Sequence, residues 1–183
     1  MDPVVKEDIL KVLVQAMELI EAEEFAELAS LSNHTIHNAS IVQDEDSLSV
    51  AVMMYTLSKV MQRCTARGIS CPASIMRNLK KADAALVQDN EATFRDAIAQ
   101  MMKDLKELDK KVKFYIEEVI DMAKIKKGSK LHEHGLSVQR AAAMLGISQW
   151  ELMNYLGKTT IIEEGLTTKG VKGRLEFARG LFK

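Results

Sequence analysis

A chain of 183 residues with 47% apolar and 28% charged side chains can fill a core and still face water. Its net charge of −1 excludes a chain that is polycationic or polyanionic as a whole, and two cysteines without a CxxC spacing exclude both a disulfide scaffold and a zinc knuckle. Two prolines and nine glycines break helices rarely, so long helices are expected, with the eleven methionines as unbranched core filler.

The first residues do not resemble a signal peptide, because Lys6, Glu7 and Asp8 interrupt any apolar run. No stretch approaches the ~20 apolar residues that span a bilayer. The expectation is a soluble cytoplasmic protein with no membrane partner, and with Cys64 and Cys71 as reduced structural thiols. Charge is unevenly placed. Residues 1–125 hold 15 Lys/Arg against 21 Asp/Glu, a balance of −6. Residues 126–183 hold 10 against 5, a balance of +5. Such asymmetry points to an anionic partner for the C-terminal part.

In chain order, Asp2 caps a first helix with Pro3 at its first position, where a missing N–H does no harm. Val5, Ile9, Val12, Ala16 and Leu19 alternate spacings of four and three, which places them on one stripe. The pattern continues through Phe25, Leu28 and Leu31, so the helix is expected to end near Ser32 and Asn33. Residues 33–43 are irregular. Asp44, Glu45 and Asp46 then mark the first turn of a second long helix, apolar nearly all round from Leu48 to Met61 and therefore central and buried. Gly68 ends it. A third helix starts at Cys71-Pro72 and reaches Val87. Asp89-Asn90-Glu91 caps a fourth. Phe94, Ile98, Met101, Leu105, Leu108, Val112, Tyr115, Val119 and Met122 form a heptad seam along it. Two partners fit such a seam: a neighbouring helix of the same chain, or a second copy in a coiled-coil homodimer. Residues 124–129 (Lys-Ile-Lys-Lys-Gly-Ser) read as a helix end or hinge, which divides the chain into a helical bundle over 1–125, for dimerisation or sensing, and a unit over 126–183.

The most informative stretch is 135–157. Ser137 caps a short helix, Val138 to Leu145. Gly146 marks a sharp turn, and Ser148 with Glu151 three residues on forms a capping box for a second helix. Ala141, Ala142, Leu145, Ile147, Leu152 and Tyr155 point inward. Ala142, Gly146 four later and Leu152 six after that resemble the helix-turn-helix signature of bacterial and archaeal DNA-binding proteins. The wording Gly-Ile-Ser-Gln-Trp-Glu-Leu is similar, more loosely, to helix-turn-helix antitoxins of prokaryotic toxin–antitoxin pairs. The resemblance covers about 23 residues, and none extends over 1–130.

The expected fold is therefore all-α: an N-terminal bundle of long antiparallel helices, then a small C-terminal helix-turn-helix. The resemblance implies a homodimeric regulator that binds double-stranded DNA, possible antitoxins and their toxin partners included. Its second helix would enter the major groove with Ser148, Gln149, Trp150, Met153 and Asn154 outward. Gln149 and Asn154 suit adenine edges and Ser148 a phosphate. Arg140, Lys158, Lys169, Lys172 and Arg174 would supply backbone contacts. The tail contains a wing-like hairpin over 159–167 and a basic amphipathic end. Two other classes remain. A protein-interaction scaffold would use the exposed Trp150 and the heptad seam as anchors. A metal-dependent or RNA-cleaving bundle would use His34 and His37, three residues apart beside Asp44, Glu45 and Asp46. The absence of HExxH, of a phosphate loop and of a nucleophile with a base argues for no catalytic residues and no cofactor. The acids are better explained as helix caps, and His132 and His134 as a solvated helix end.

Overall fold

Several of the helices start where a side chain satisfies an N–H group of the first turn. In the computed structural model, α1 (Pro3–Glu21) opens with Asp2 Oδ1 accepting from the Val4 N–H at 2.8 Å. Three more helices follow to the middle of the chain: α2 (Glu27–Leu31), α3 (His34–Val42) and α4 (Glu45–Thr65). Asp44 caps α4, accepting from the Ser47 N–H at 2.6 Å. Then come α5 (Ala73–Val87), α6 (Glu91–Val112), α7 (Ile116–Glu133), α8 (Val138–Leu145) and α9 (Gln149–Gly165). Asn90 caps α6 through the Thr93 N–H at 3.0 Å. The structure describes residues 1–112 and 116–165, with the backbone alone for 37, 38, 42, 109–112 and 158–165. All regular structure among the described residues is helical, and none of these helices is long and apolar enough to cross a membrane.

Five helix ends share one closure. A residue in the left-handed conformation lets the next N–H reach back five positions: Glu24 to Leu19, Ile69 to Cys64, Asn90 to Ala85, Leu136 to Leu131 and Ile147 to Ala142. The turning residue is glycine at 68, 135 and 146 but Glu23 and Asp89 at the other two. Glu23 accounts for the first departure from expectation. α1 stops at Glu21, and Phe25, Leu28 and Leu31 belong to a turn and to α2, not to a continuing helix. The irregular stretch after Asn33 is α3.

Helix α4 is the centre of the fold. Val50, Met53, Met54, Leu57, Val60, Met61 and Cys64 line one stripe, packed with α1, α2 and α6 in a cluster that α5 also joins. Leu48, Ala51, Val52 and Tyr55 line a second stripe in another apolar cluster, shared with α3, α7, α8 and α9. Both stripes follow the i, i+3, i+4, i+7 rule, so α4 is buried on two sides as its composition predicts. At its first turn Asp46 receives both nitrogens of the Arg95 fork, at 2.8 and 2.7 Å, and Arg95 also reaches Glu91 at 2.9 Å. These carboxylates raise the guanidinium pKa further, with Asp46 the main cause.

The expected seam over 94–122 is two helices. Phe94, Ile98, Met101 and Leu105 are buried within this one chain, and α6 packs chiefly on α5. That half of the seam is intramolecular. Lys106 on α6 reaches Glu117 on α7 at 3.4 Å. On one straight helix these residues would lie ~16 Å apart along the axis. Val119 is buried, Met122 is exposed, and the side chains of Val112 and Tyr115 lie outside the described residues.

Helix α7 also runs straight through the boundary expected between 125 and 126. Residues 124–129 are neither a helix end nor a hinge; Lys127, Gly128 and Ser129 are buried mid-helix. A Cβ at Gly128 would lie 3.1 Å from both Leu152 methyl carbons and 3.2 Å from Leu145 Cδ1. Gly128 is therefore the seat on which α8 and α9 rest. We predict that Gly128→Leu destabilises the protein by about 1–3 kcal/mol through overpacking. Hydrogen exchange should show α8 and α9 amides losing protection while α1 and α5 keep theirs; unchanged protection of α8 and α9 would refute the seating.

Candidate functional site

The 137–157 stretch folds as its caps dictate. Ser137 is extended, and its Oγ accepts from the Arg140 N–H at 3.2 Å. Gly146 takes φ 61°, where a side chain would be strained, and turns the chain away from α8. The Ser148 N–H donates to Glu151 Oε2 at 3.0 Å, and the Trp150 N–H donates to Ser148 Oγ at 3.2 Å. This is a reciprocal capping arrangement, and it fixes the first turn of α9. Ala141, Ala142, Leu145 and Leu152 are buried as expected, whereas Ile147 and Tyr155 are only half-buried.

The opposite side of α9 is open. Ser148, Gln149, Trp150, Met153 and Asn154 are all exposed and lie within two turns. Trp150 is 73% exposed and Met153 45%, a contiguous apolar pair at helical spacing. These five residues are brought together. Arg140 is exposed on α8, and its Nε donates to Gln43 Oε1 at 2.7 Å, so it is held toward the α3–α4 turn. Lys158 stands on the described backbone of α9, but its side chain does not belong to the described residues. Lys169, Lys172 and Arg174 lie outside them altogether. The wing-like hairpin over 159–167 is corrected in part: the backbone is helical through Gly165, and the last two positions lie outside the described residues.

His34 is the exposed first residue of α3, and the His37 side chain is not among the described residues. Among those residues no three His, Cys, Asp or Glu are grouped so as to hold a metal. Asp44 caps α4 and Asp46 pairs with Arg95, which occupies both acids structurally. Cys64 and Cys71 are free thiols; burial is the first cause that raises both, Cys71 to about 11, which keeps the nucleophilic thiolate scarce. His132, at the end of α7, is exposed with Nδ1 2.8 Å from the Leu136 carbonyl oxygen.

Sequence reasoning missed Lys127. It is 3% exposed, and its ammonium donates to Ser32 Oγ at 2.5 Å and Asn33 Oδ1 at 2.8 Å. It thereby pins the α2–α3 junction onto α7. Burial, then the neighbouring Lys126 and Lys130, push its pKa down to about 8. The available signal was periodic: position 127 lies four after Ala123 and four before Leu131, both core residues of α7. No protein-family model, curated protein or solved structure matches the chain.

The depressed pKa carries a sign. The unfolded lysine holds its proton to about 10.4 and the native one only to about 8, so between these values the unfolded state binds more protons and stability rises with pH. Urea denaturation of the wild type and Lys127→Met should show the wild type gaining about 2 kcal/mol on the variant between about pH 7.5 and pH 10. A parallel response of the two proteins would remove Lys127 as the buried titrating group.

Proposed function

We propose that the protein binds double-stranded DNA through α8 and α9 as a helix-turn-helix transcriptional regulator, of the kind that includes antitoxins. The helices before them form the bundle that dimerises or senses. The observation that carries this reading is the outer face of α9: Ser148, Gln149, Trp150, Met153 and Asn154 are exposed together on a helix whose first turn is fixed by its capping box. A rigid, outward helix N-terminus is what major-groove entry requires. Gln149 and Asn154 would present paired donor and acceptor groups to adenine, and Ser148 would reach a phosphate. Trp150 and Met153 would pack on thymine methyls and sugars. Lys158, Lys169, Lys172 and Arg174 would neutralise the backbone, and two copies would address half-sites ~34 Å apart.

A second reading rests on the same face. Trp150 and Met153 expose a large apolar pair, and residues 149–157 contain no Lys or Arg. A surface of that composition fits a protein partner, with Trp150 as the buried anchor. A toxin would be one such partner.

Salt-titrated binding of duplex DNA separates the two. DNA binding predicts affinity that falls steeply and linearly in log–log form with salt. Gln149→Ala and Asn154→Ala should each weaken the cognate duplex by about 1–3 kcal/mol and relax base preference. Absence of duplex affinity at low salt, together with a partner protein lost on Trp150→Ala, would establish the second reading instead.

A further inference from the structure

The cleft beside Lys127 carries more positive charge than the described residues explain. Its volume is about 790 Å³, and its walls include Tyr55 from α4, Lys126, Lys127 and Lys130 from α7, and Tyr155 and Leu156 from α9. Three ammonium groups surround the Tyr55 ring: Lys126 at 5.1 Å, Lys127 at 5.3 Å and Lys59 at 5.7 Å from its centre. Lys126 also donates to the Tyr55 hydroxyl at 2.7 Å. Among the described residues none of these three lysines has a carboxylate partner. The one acid in the wall, Glu133, is engaged by Lys130 at 2.6 Å.

A single aromatic ring attracts one cation by about 0.5–2 kcal/mol, which does not offset the desolvation of Lys127 and its repulsion by Lys126 and Lys130. Among the described residues, Lys126 and Lys127 have no carboxylate as counter-ion. We propose that the cleft is a binding site for the phosphate group of a small molecule, held by Lys126 and Lys127 and flanked by Lys130. A dianion supplies about the charge that the cluster needs, and lysine suits phosphate as a point-charge donor. Lys127 spends two of its three N–H groups on Ser32 and Asn33, which leaves one for the ligand. The burial of Lys127 favours a small anion that can enter the cleft over a phosphate held in a duplex backbone. The site is separate from the outer face of α9, so it stands independently of the DNA reading.

Among the described residues, the charged and titratable groups that share the cleft wall with Lys127 are Lys126, Lys130, His132 and Glu133 on α7, Tyr55 on α4, and Tyr155 on α9. Phosphate binds the protonated amine, so affinity holds below about pH 8 and declines above it. The test is a titration of the full chain with inorganic phosphate at constant ionic strength, with chloride as the balance, followed by heteronuclear NMR. Saturable shifts should centre on Tyr55, Lys127 and Leu156, with affinity falling on the order of tenfold from about pH 7.5 to about pH 9.5. Lys127→Arg should keep binding and lose that decline, because a guanidinium stays charged. Lys126→Ala, at a half-buried position, should weaken phosphate on the order of tenfold while leaving the fold intact. No saturable shift beyond chloride, shifts elsewhere, or a pH decline that persists in Lys127→Arg would overturn the proposal. A duplex oligonucleotide that shifts the same cleft residues and is displaced by phosphate would also overturn it, by assigning the anion to nucleic acid.

Discussion

The contact between Gly128 and the methyl groups of Leu145 and Leu152 sets the position of everything after α7. With both leucines buried, the seat withdraws from water apolar groups worth about 1.5–3 kcal/mol each. It works because position 128 has no side chain: a Cβ there would press on the methyl groups of both leucines and make them give by a few tenths of an ångström. Glycine in a helix interior lowers helix propensity by about 1 kcal/mol relative to alanine. Tertiary packing on two sides offsets that loss, so α7 remains helical through the glycine.

The same helix turn does a second job. Lys127, next to Gly128, points toward the α2–α3 junction, and Ser129 is buried as well. Further back, Ile116 and Ile120 join the α1–α6 cluster, whereas Ala123 and Leu131 join the cluster of α3, α8 and α9. Helix α7 thus borders both apolar clusters, as α4 does. One helix touching so many elements has no single apolar stripe. It has only local patches, each complementary to a different neighbour.

That is why α7 was hard to read from its residues while α8 was easy. Ser137, Gly146, Ser148 and Glu151 act through their own backbone neighbourhood, so cap, turn and capping box could be read locally and α8 spans the residues expected. Asp2, Asp44 and Asn90 were readable for the same reason. The end of α1 was not. Its left-handed turn falls on Glu23, a residue type that seldom takes that conformation, while Phe25, Leu28 and Leu31 prolong the apolar rhythm beyond it. A Lys-Ile-Lys-Lys-Gly-Ser run has the composition of a frayed helix end. Only the fold reveals that its middle lysine is buried, because the polar atoms that accept from it, on Ser32 and Asn33, lie nearly a hundred positions away. Of the candidate site, the outer face of α9 was readable from periodicity; the lysine cleft, assembled from four segments, was not.

The charge asymmetry of the sequence acquires a location from these facts. The positive balance after residue 126 suggested a footprint for nucleic acid. Among the described cations of that region, Lys126, Lys127 and Lys130 line the cleft, and Arg140 is bound to Gln43. None lies on the outer face of α9. The described part of the surplus therefore lines that cleft, and a groove-reading role for α9 has to draw its backbone contacts from Lys158 and the residues beyond it. Helix α9 spans the two regions, with Gln149 to Asn154 facing outward and Tyr155 and Leu156 in the cleft wall. At 1.5 Å per residue the two lie only ~10 Å apart along one helix, about a Debye length at physiological salt. At that separation salt screens much of the field, so the cleft and the outer face of α9 are joined by one helix more than by charge.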